Sequence, residues 1–70
     1  MKPIRIIKVQ TETAQDVQGR GIPKGTRLAV MKEGPKHPTE GYKLLVVRVD
    51  NGTGHWDLCP ETCIRSSEVK

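Results

Sequence analysis

Three side chains that can ligate a metal recur at intervals of four residues: His55, Cys59 and Cys63, with His37 as a candidate fourth ligand. Zinc is commonly held by Cys and His in a tetrahedron. An interval of four suits one face of a helix, however, and the paired Cys-x₂-Cys spacing is absent. The sequence leaves these residues as a weak metal set and favours two buried or half-buried thiols with surface imidazoles.

Other catalytic chemistry finds no support in the residue order. There is no Ser-His-Asp order and no paired-carboxylate spacing, and Gly19-Arg20-Gly21 lacks the strand-to-helix context of a phosphate loop. Two cysteines without a secretory segment indicate free thiols in a reducing cytosol, not a Cys59–Cys63 disulfide. We therefore expect a cytoplasmic protein that is not an enzyme and needs no cofactor.

The stretch from Tyr42 to Ile64 organises the predicted fold. Residues 42–49 form a strand by their Leu, Val and Tyr content, and Asn51-Gly52 is a strong hairpin-turn signal. We expect a return strand over residues 55–59, a 3₁₀ turn over 60–62 and a short strand over 63–65. One face of strand 42–49 must be core, and the other carries enough apolar surface to pack on a second layer or a partner.

The preceding half supplies two more predicted strands, at residues 3–9 and 26–32. Consecutive Ile6 and Ile7 break strict alternation, which predicts a bulge or burial on both faces. Residues 10–21 form a long polar loop or a short irregular hairpin, and residues 33–41 form a Pro- and Gly-rich loop. The 70 residues make one domain, with residues 65–70 expected to fray.

The predicted core is almost wholly aliphatic, since Tyr42 and Trp56 are the only aromatic residues. We expect Trp56 to be its main ring, with an interface role as the alternative. The aliphatic members are Ile6, Leu28, Val30, Leu45, Val47, Val49, Leu58 and Ile64.

The chain resembles Src-homology-3-type barrels over about residues 22–65. Gly54 with Leu58–Ile64 is similar to the family's closing segment, Pro23–Met31 is similar to its second strand, and Tyr42 stands where the family usually has tryptophan. The resemblance implies an all-β, five-stranded, mostly antiparallel small barrel with one short 3₁₀ turn. The first strand has no aromatic residue and Cys63 replaces a groove tyrosine, so the family's proline-rich peptide groove is not expected.

A second resemblance concerns an enzyme. Residues 39–42 are slightly similar to a segment of the plasmid-borne trimethoprim-resistant dihydrofolate reductases, which are small tetrameric barrels. The segment that would line their pore is Trp56-Asp57-Leu58-Cys59 here, without the amide and phenol of that site. This comparison does not change the expectation of a non-enzymatic protein.

Composition leaves two binding functions open. Lys plus Arg number 12 against 8 Asp plus Glu, a net charge of +4, and no apolar run is long enough to span a membrane. The first hypothesis is a regulatory or adaptor module that binds protein through loops 11–21 and 33–41, using Asp16, Arg20, Tyr42 and Trp56. The alternative is a small basic nucleic-acid-binding barrel that uses Lys24, Arg27, Lys36, Lys43 and Arg48. The small size of the chain suggests a protein of bacterial or mobile-element type. A homo-oligomer is also left open.

Overall fold

A computed structural model describes residues 2–69 of the chain. Four strands follow one another as an antiparallel meander in the order β1-β2-β3-β4. Their bounds are Arg5–Lys8 for β1, Arg27–Lys36 for β2, Lys43–Val49 for β3 and Glu61–Arg65 for β4. Two 3₁₀ helices cover Trp56–Leu58 and Ser66–Val69. The all-β, antiparallel class is confirmed.

The prediction of a closed, five-stranded barrel is wrong, because the described residues form one open sheet of four strands. The expected return strand at residues 55–59 is missing. There the N–H groups of Leu58 and Cys59 donate to the carbonyl oxygens of His55 and Trp56, at 3.0 and 3.1 Å. These short-range bonds make a 3₁₀ helix before Pro60, and the return strand is β4, which follows Pro60. The 3₁₀ turn predicted at residues 60–62 is therefore also wrong.

Strand β2 is longer than the sequence predicts, and its irregularities lie elsewhere. It continues through Lys36, into the predicted loop 33–41. Its register with β3 shifts between Val30 and Lys32 and again between Glu33 and Lys36, whereas β1 pairs with β2 without a shift. The bulge expected at Ile6-Ile7 is therefore wrong, and the extra residues belong to the longer β2.

The core lies on one face of this sheet. Five predicted members are fully buried, namely Leu28, Val30, Leu45, Val47 and Ile64, and half-buried Val49 packs against them. Ile6 and Leu58 are wrong predictions, with 45% and 65% of their surfaces exposed. Ile6 lies on the opposite face of the sheet, and Leu58 belongs to a 3₁₀ helix that has no buried residue.

The long loop before β2 covers the core. Val9, Ala14 and Ile22 of this segment are buried. The sequence placed Val9 at the end of the first strand and Ala14 in the polar loop 10–21. An antiparallel bridge joins Gln15 to Gly21, so the alternative of a short irregular hairpin is confirmed. The N–H of Val17 donates to the carbonyl oxygen of Cys63 at 3.0 Å, which fastens the loop to the outer edge of β4.

The chain end adds a second cover where the composition predicts a frayed tail. Val69 of the second 3₁₀ helix packs against the core, and the carboxylate of Glu68 accepts a hydrogen bond from the N–H of Gln15 at 3.0 Å. Lys70 lies outside the described residues. Nowhere in residues 2–69 is there a helix with the length and apolar character needed to cross a membrane.

Candidate functional site

The face of the sheet opposite the core is largely exposed among residues 2–69, although Ala29 on β2 is fully buried and Arg48 is half-buried. Side chains alternate between the two faces of a strand, and the pairing register aligns those that point away from Leu28, Val30, Leu45 and Val47. We call this surface the open face. Its members are Ile4, Ile6, Lys8, Arg27, Ala29, Lys32, Leu44, Val46, Arg48, Glu61, Cys63 and Arg65.

Aliphatic side chains occupy the open face. Ile6 and Leu44 are each 45% exposed, and Ile4, whose N–H bonds to the carbonyl oxygen of Val30 at 2.7 Å, is 59% exposed. Val46 and Cys63, which are cross-strand neighbours, are half-buried. Single exposed aliphatic residues are ordinary, whereas several on one sheet face mark a surface that packs on something else.

An arginine lies over an aromatic ring at each end of the open face. At one end the guanidinium carbon of Arg65 is 5.6 Å from the ring centroid of Tyr42, which also stacks on His37 at 4.9 Å. At the other end Arg27 is 5.9 Å from the ring centroid of Trp56. These distances fit cation–π contacts. Trp56 is half-buried and is not the central core ring, so that prediction is wrong.

Two of the open-face arginines have carboxylate partners. Arg27 meets Asp50 at 3.1 Å, and Arg48 lies 3.8 Å from Glu61. The N–H of Gly52, and after it the guanidinium of Arg27, hold the pKa of Asp50 below its usual range. Arg48 also donates to the carbonyl oxygen of Cys59 at 3.0 Å, while its Nε is buried without a partner.

The loop that carries Trp56 is held by a small polar network around Cys59. The buried thiol lies 3.2 Å from the side-chain oxygen of Asn51 and 3.3 Å from the carbonyl oxygen of His55. The amide nitrogen of Asn51 donates to the carbonyl oxygen of Leu58 at 3.1 Å. Asn51 was predicted from the sequence only as a turn residue. Its hydrogen bonds also stabilise the conformation of the loop that carries Trp56.

Asp16 and Arg20 lie away from the open face. They line a cleft of about 180 Å³ on the core side, with Ile22 and Pro60 among its walls. The carboxylate of Asp16 is buried and accepts hydrogen bonds from the N–H groups of Arg20 and Gln18, both at 2.9 Å, and from the hydroxyl of Thr62 at 3.0 Å. The N–H of Arg20 is the main cause of its lowered pKa. Both carboxylate oxygens are thus engaged within the fold.

The predicted nucleic-acid set is divided between surfaces. Arg27 and Arg48 lie on the open face with their carboxylate partners. Lys36 and Lys43 stand opposite each other at the far end of the β2–β3 pair, and Lys24 lies in the turn before β2. The five residues do not form one basic footprint.

The weak metal set is also dispersed. Cys59 is buried inside its loop, Cys63 lies on β4, and both thiols are free. Among residues 2–69 no three His, Cys, Asp or Glu side chains converge as a metal site would require.

Comparison of the chain with models of known families, with curated proteins and with solved structures found no match. The sequence predicted part of the open face through the second apolar face of strand 42–49. It missed Ile4 and Ile6, because the first strand was read as buried on both sides or bulged.

Proposed function

We propose that the chain is a non-enzymatic protein-binding module and that the open face is its contact surface. One observation carries the proposal: Ile6 and Leu44, each 45% exposed, lie together on the sheet face opposite the core. Burying such side chains against a partner removes apolar surface from water, which is the main favourable term in protein association.

The ends of the face have the composition of a protein interface. Tyr, Trp and Arg are the residue types most enriched at binding hot spots, and here each ring lies beside an arginine. Tyr42 and Trp56 keep the role that the sequence assigned to them. The contact surface moves from loop 11–21, whose residues Ala14 and Asp16 are engaged inside the fold, to the open face.

A nucleic-acid ligand fits this surface less well. Of the five residues predicted to contact phosphate, Arg27 and Arg48 already have carboxylate partners, and the three lysines lie away from the open face. A phosphate backbone would also leave exposed Ile4 and Ile6 without apolar cover. We therefore favour a protein ligand for the open face, with a nucleic-acid ligand as the alternative that the experiment below also tests.

The remaining parts of the proposal rest on the sequence. A cytoplasmic location and a regulatory or adaptor role follow from the free thiols and the missing catalytic set. We further infer that any likeness to Src-homology-3-type barrels concerns the hairpins of the meander and not barrel closure.

The test begins with an identified partner. The chain is used as bait in a lysate of its source, captured proteins are identified by mass spectrometry, and one is purified and titrated calorimetrically. The informative variant combines Ile6→Thr and Leu44→Thr, which keeps β propensity while removing aliphatic surface. Val17→Thr is the control, because Val17 is 41% exposed but lies on the loop that covers the core.

We expect the double variant to bind the partner at least about tenfold more weakly, with the control within about twofold of the wild type. Equal binding by the folded double variant would refute the proposal. Labelled single-stranded DNA and RNA are titrated at two salt concentrations in parallel. If the chain binds DNA or RNA with micromolar affinity, if this binding weakens steeply with salt, and if the Thr substitutions leave it unchanged, the ligand is nucleic acid and not protein.

A further inference from the structure

The excess positive charge of the described residues is concentrated on the open face. Counted with Asp50, the partner of Arg27, this face holds five basic and two acidic residues: Lys8, Arg27, Lys32, Arg48, Arg65, Asp50 and Glu61. The rest of residues 2–69 holds six of each sign. The surface with exposed aliphatic side chains is therefore also the surface with unbalanced charge.

Lys8 and Lys32 are the cations best placed to meet a partner. Both are exposed, both lie on the open face, and no carboxylate of residues 2–69 is within 4.0 Å of either ammonium group. Arg65 is also exposed and stacks on the neutral ring of Tyr42. Three positive charges thus surround the aliphatic residues without an internal counter-charge.

This charge decides between two candidate occupants. A second copy of the chain would bring the same five bases and two acids against this face, so like charges would oppose one another. A partner that carries carboxylates beside an apolar stripe would complement both features at once. Charge complementarity therefore favours an acidic partner over self-association.

The shape of the face suits a helix. Four strands at about 4.8 Å spacing place the outer strands about 14 Å apart, and a helix with side chains is about 10–12 Å in diameter. A single helix can therefore cover the open face as the second layer that a sheet with one apolar face requires. The opposite face already has its cover in Val9, Ala14 and Ile22.

We propose that the open face binds an acidic amphipathic helix of a partner protein, with its apolar stripe on Ile6 and Leu44 and its carboxylates beside Lys8, Lys32 and Arg65. This proposal rests on the proposed protein-binding function and specifies the partner. Attraction between opposite charges would speed association, and salt would weaken it.

The probe is a labelled synthetic peptide of about 18 residues, about 27 Å long as a helix, with a leucine stripe flanked by glutamates. One comparison peptide has lysine in place of each glutamate, and another has the same composition in scrambled order. Binding to the full chain is followed by fluorescence anisotropy at low and high salt. The chain variants are Lys8→Glu with Lys32→Glu, and the matched control is Lys24→Glu with Lys43→Glu, the same charge change away from the open face.

We expect the glutamate peptide alone to bind, more weakly at high salt. The Lys8→Glu, Lys32→Glu variant should bind the glutamate peptide at least about tenfold more weakly than the wild type, and the Lys24→Glu, Lys43→Glu control about twofold more weakly. Equal binding of the lysine or scrambled peptide, or equal loss in both pairs, would overturn the proposal. Sedimentation equilibrium adds a further check: a dimer that the Ile6→Thr and Leu44→Thr substitutions dissociate would make a second copy the occupant.

Failure here is distinguishable from failure of the proposed function. If no peptide binds, but an identified partner does and loses affinity with the Thr substitutions, the acidic helix is wrong and the protein-binding face stands. If that partner binds the Thr variant unchanged, the face itself is wrong, and both proposals fall together.

Discussion

At the scale of single residues, Asp16 has a structural role that its type alone did not reveal. Its carboxylate joins the turn at residues 16–20 to Thr62 of β4 through three hydrogen bonds. The sequence placed this acid in a binding loop because residues 10–21 are polar and more numerous than a simple connection requires. Its actual partners are backbone N–H groups and a hydroxyl distant in sequence, which no local pattern identifies.

Asp16 and Asp50 predict how stability depends on acid. Both carboxyl pKa values lie below the ordinary 3.8, chiefly because the N–H of Arg20 and the N–H of Gly52 donate to the charged forms. The unfolded chain therefore binds more protons than the folded one as the pH falls through this range. The stabilisation is complete above pH 3.8 and is lost as the pH falls through 3.8 towards the lower folded values.

The measurement is the urea midpoint of unfolding between pH 7 and pH 2.5, for the wild type and for Asp16→Asn with Asp50→Asn. We expect the wild-type midpoint to fall towards the acid end. The double variant should begin lower at neutral pH and change less with acid. A double variant with the full wild-type acid dependence would show that other carboxylates are responsible.

At the scale of elements, β3 was the most predictable segment, because residues 42–49 are a short and nearly continuous run of Leu, Val and Tyr. Adjacent Leu44 and Leu45 differ completely in environment, being 45% and 0% exposed. We expect Leu45→Ala to cost about 2–5 kcal/mol in the free energy of unfolding. Leu44→Ala should change it by about 0.5 kcal/mol or less.

Chemical denaturation of the two leucine variants measures this difference directly. Each variant is the control for the other, because both replace a leucine of β3 by alanine and differ only in the face of the sheet. Equal losses at both positions would mean that the face bearing Leu44 is covered in solution.

Strand β2 was less predictable, because its length depends on pairing with β3 and not on its own composition. Gly34 lies within the second register shift of β2, between Glu33 and Lys36, and a Cβ there would be 3.2 Å from the carbonyl oxygen of Leu44. The composition of residues 33–41 indicates a loop, yet the glycine permits a close approach of two strands that a larger residue would hinder.

Gly34→Ala is expected to destabilise the chain by about 1 kcal/mol, because the cost of overpacking against a backbone atom exceeds the smaller gain from replacing a glycine in a strand. Gly21→Ala is the control, because its Cβ would meet no atom within 4 Å and its φ is not in the left-handed region. Thermal unfolding of both variants gives the comparison. An equally stable Gly34→Ala variant would show that β2 and β3 can separate locally without cost.

The segment after β3 shows where sequence reasoning fails at this scale. Asn51-Gly52 predicts a tight hairpin, and Gly52 does have a positive φ of 84°. The chain nevertheless continues through a 3₁₀ helix to Pro60 before it returns as β4. The cause is the network of Asn51, Cys59 and His55, whose bonds depend on three-dimensional contacts that strand propensity does not encode.

At the scale of the whole molecule, the chain is a sheet with one covered face and one largely exposed face. The sequence indicated a second apolar face on one strand. The sequence could not indicate which face the long loop and the chain end cover. That depends on the face against which Val9, Ala14 and Ile22 pack in three dimensions.

The central claim is that the face bearing Ile6 and Leu44 is open to solvent and available to a partner. It is tested most directly by paramagnetic relaxation of methyl NMR signals with a soluble gadolinium probe, in dilute, free protein. The account predicts strong relaxation at the methyl groups of Ile4, Ile6 and Leu44, and protection at those of Leu45, Val47 and Ile64. Protection of Ile6 and Leu44 equal to that of Leu45 would contradict it, because another part of the chain would then cover the face.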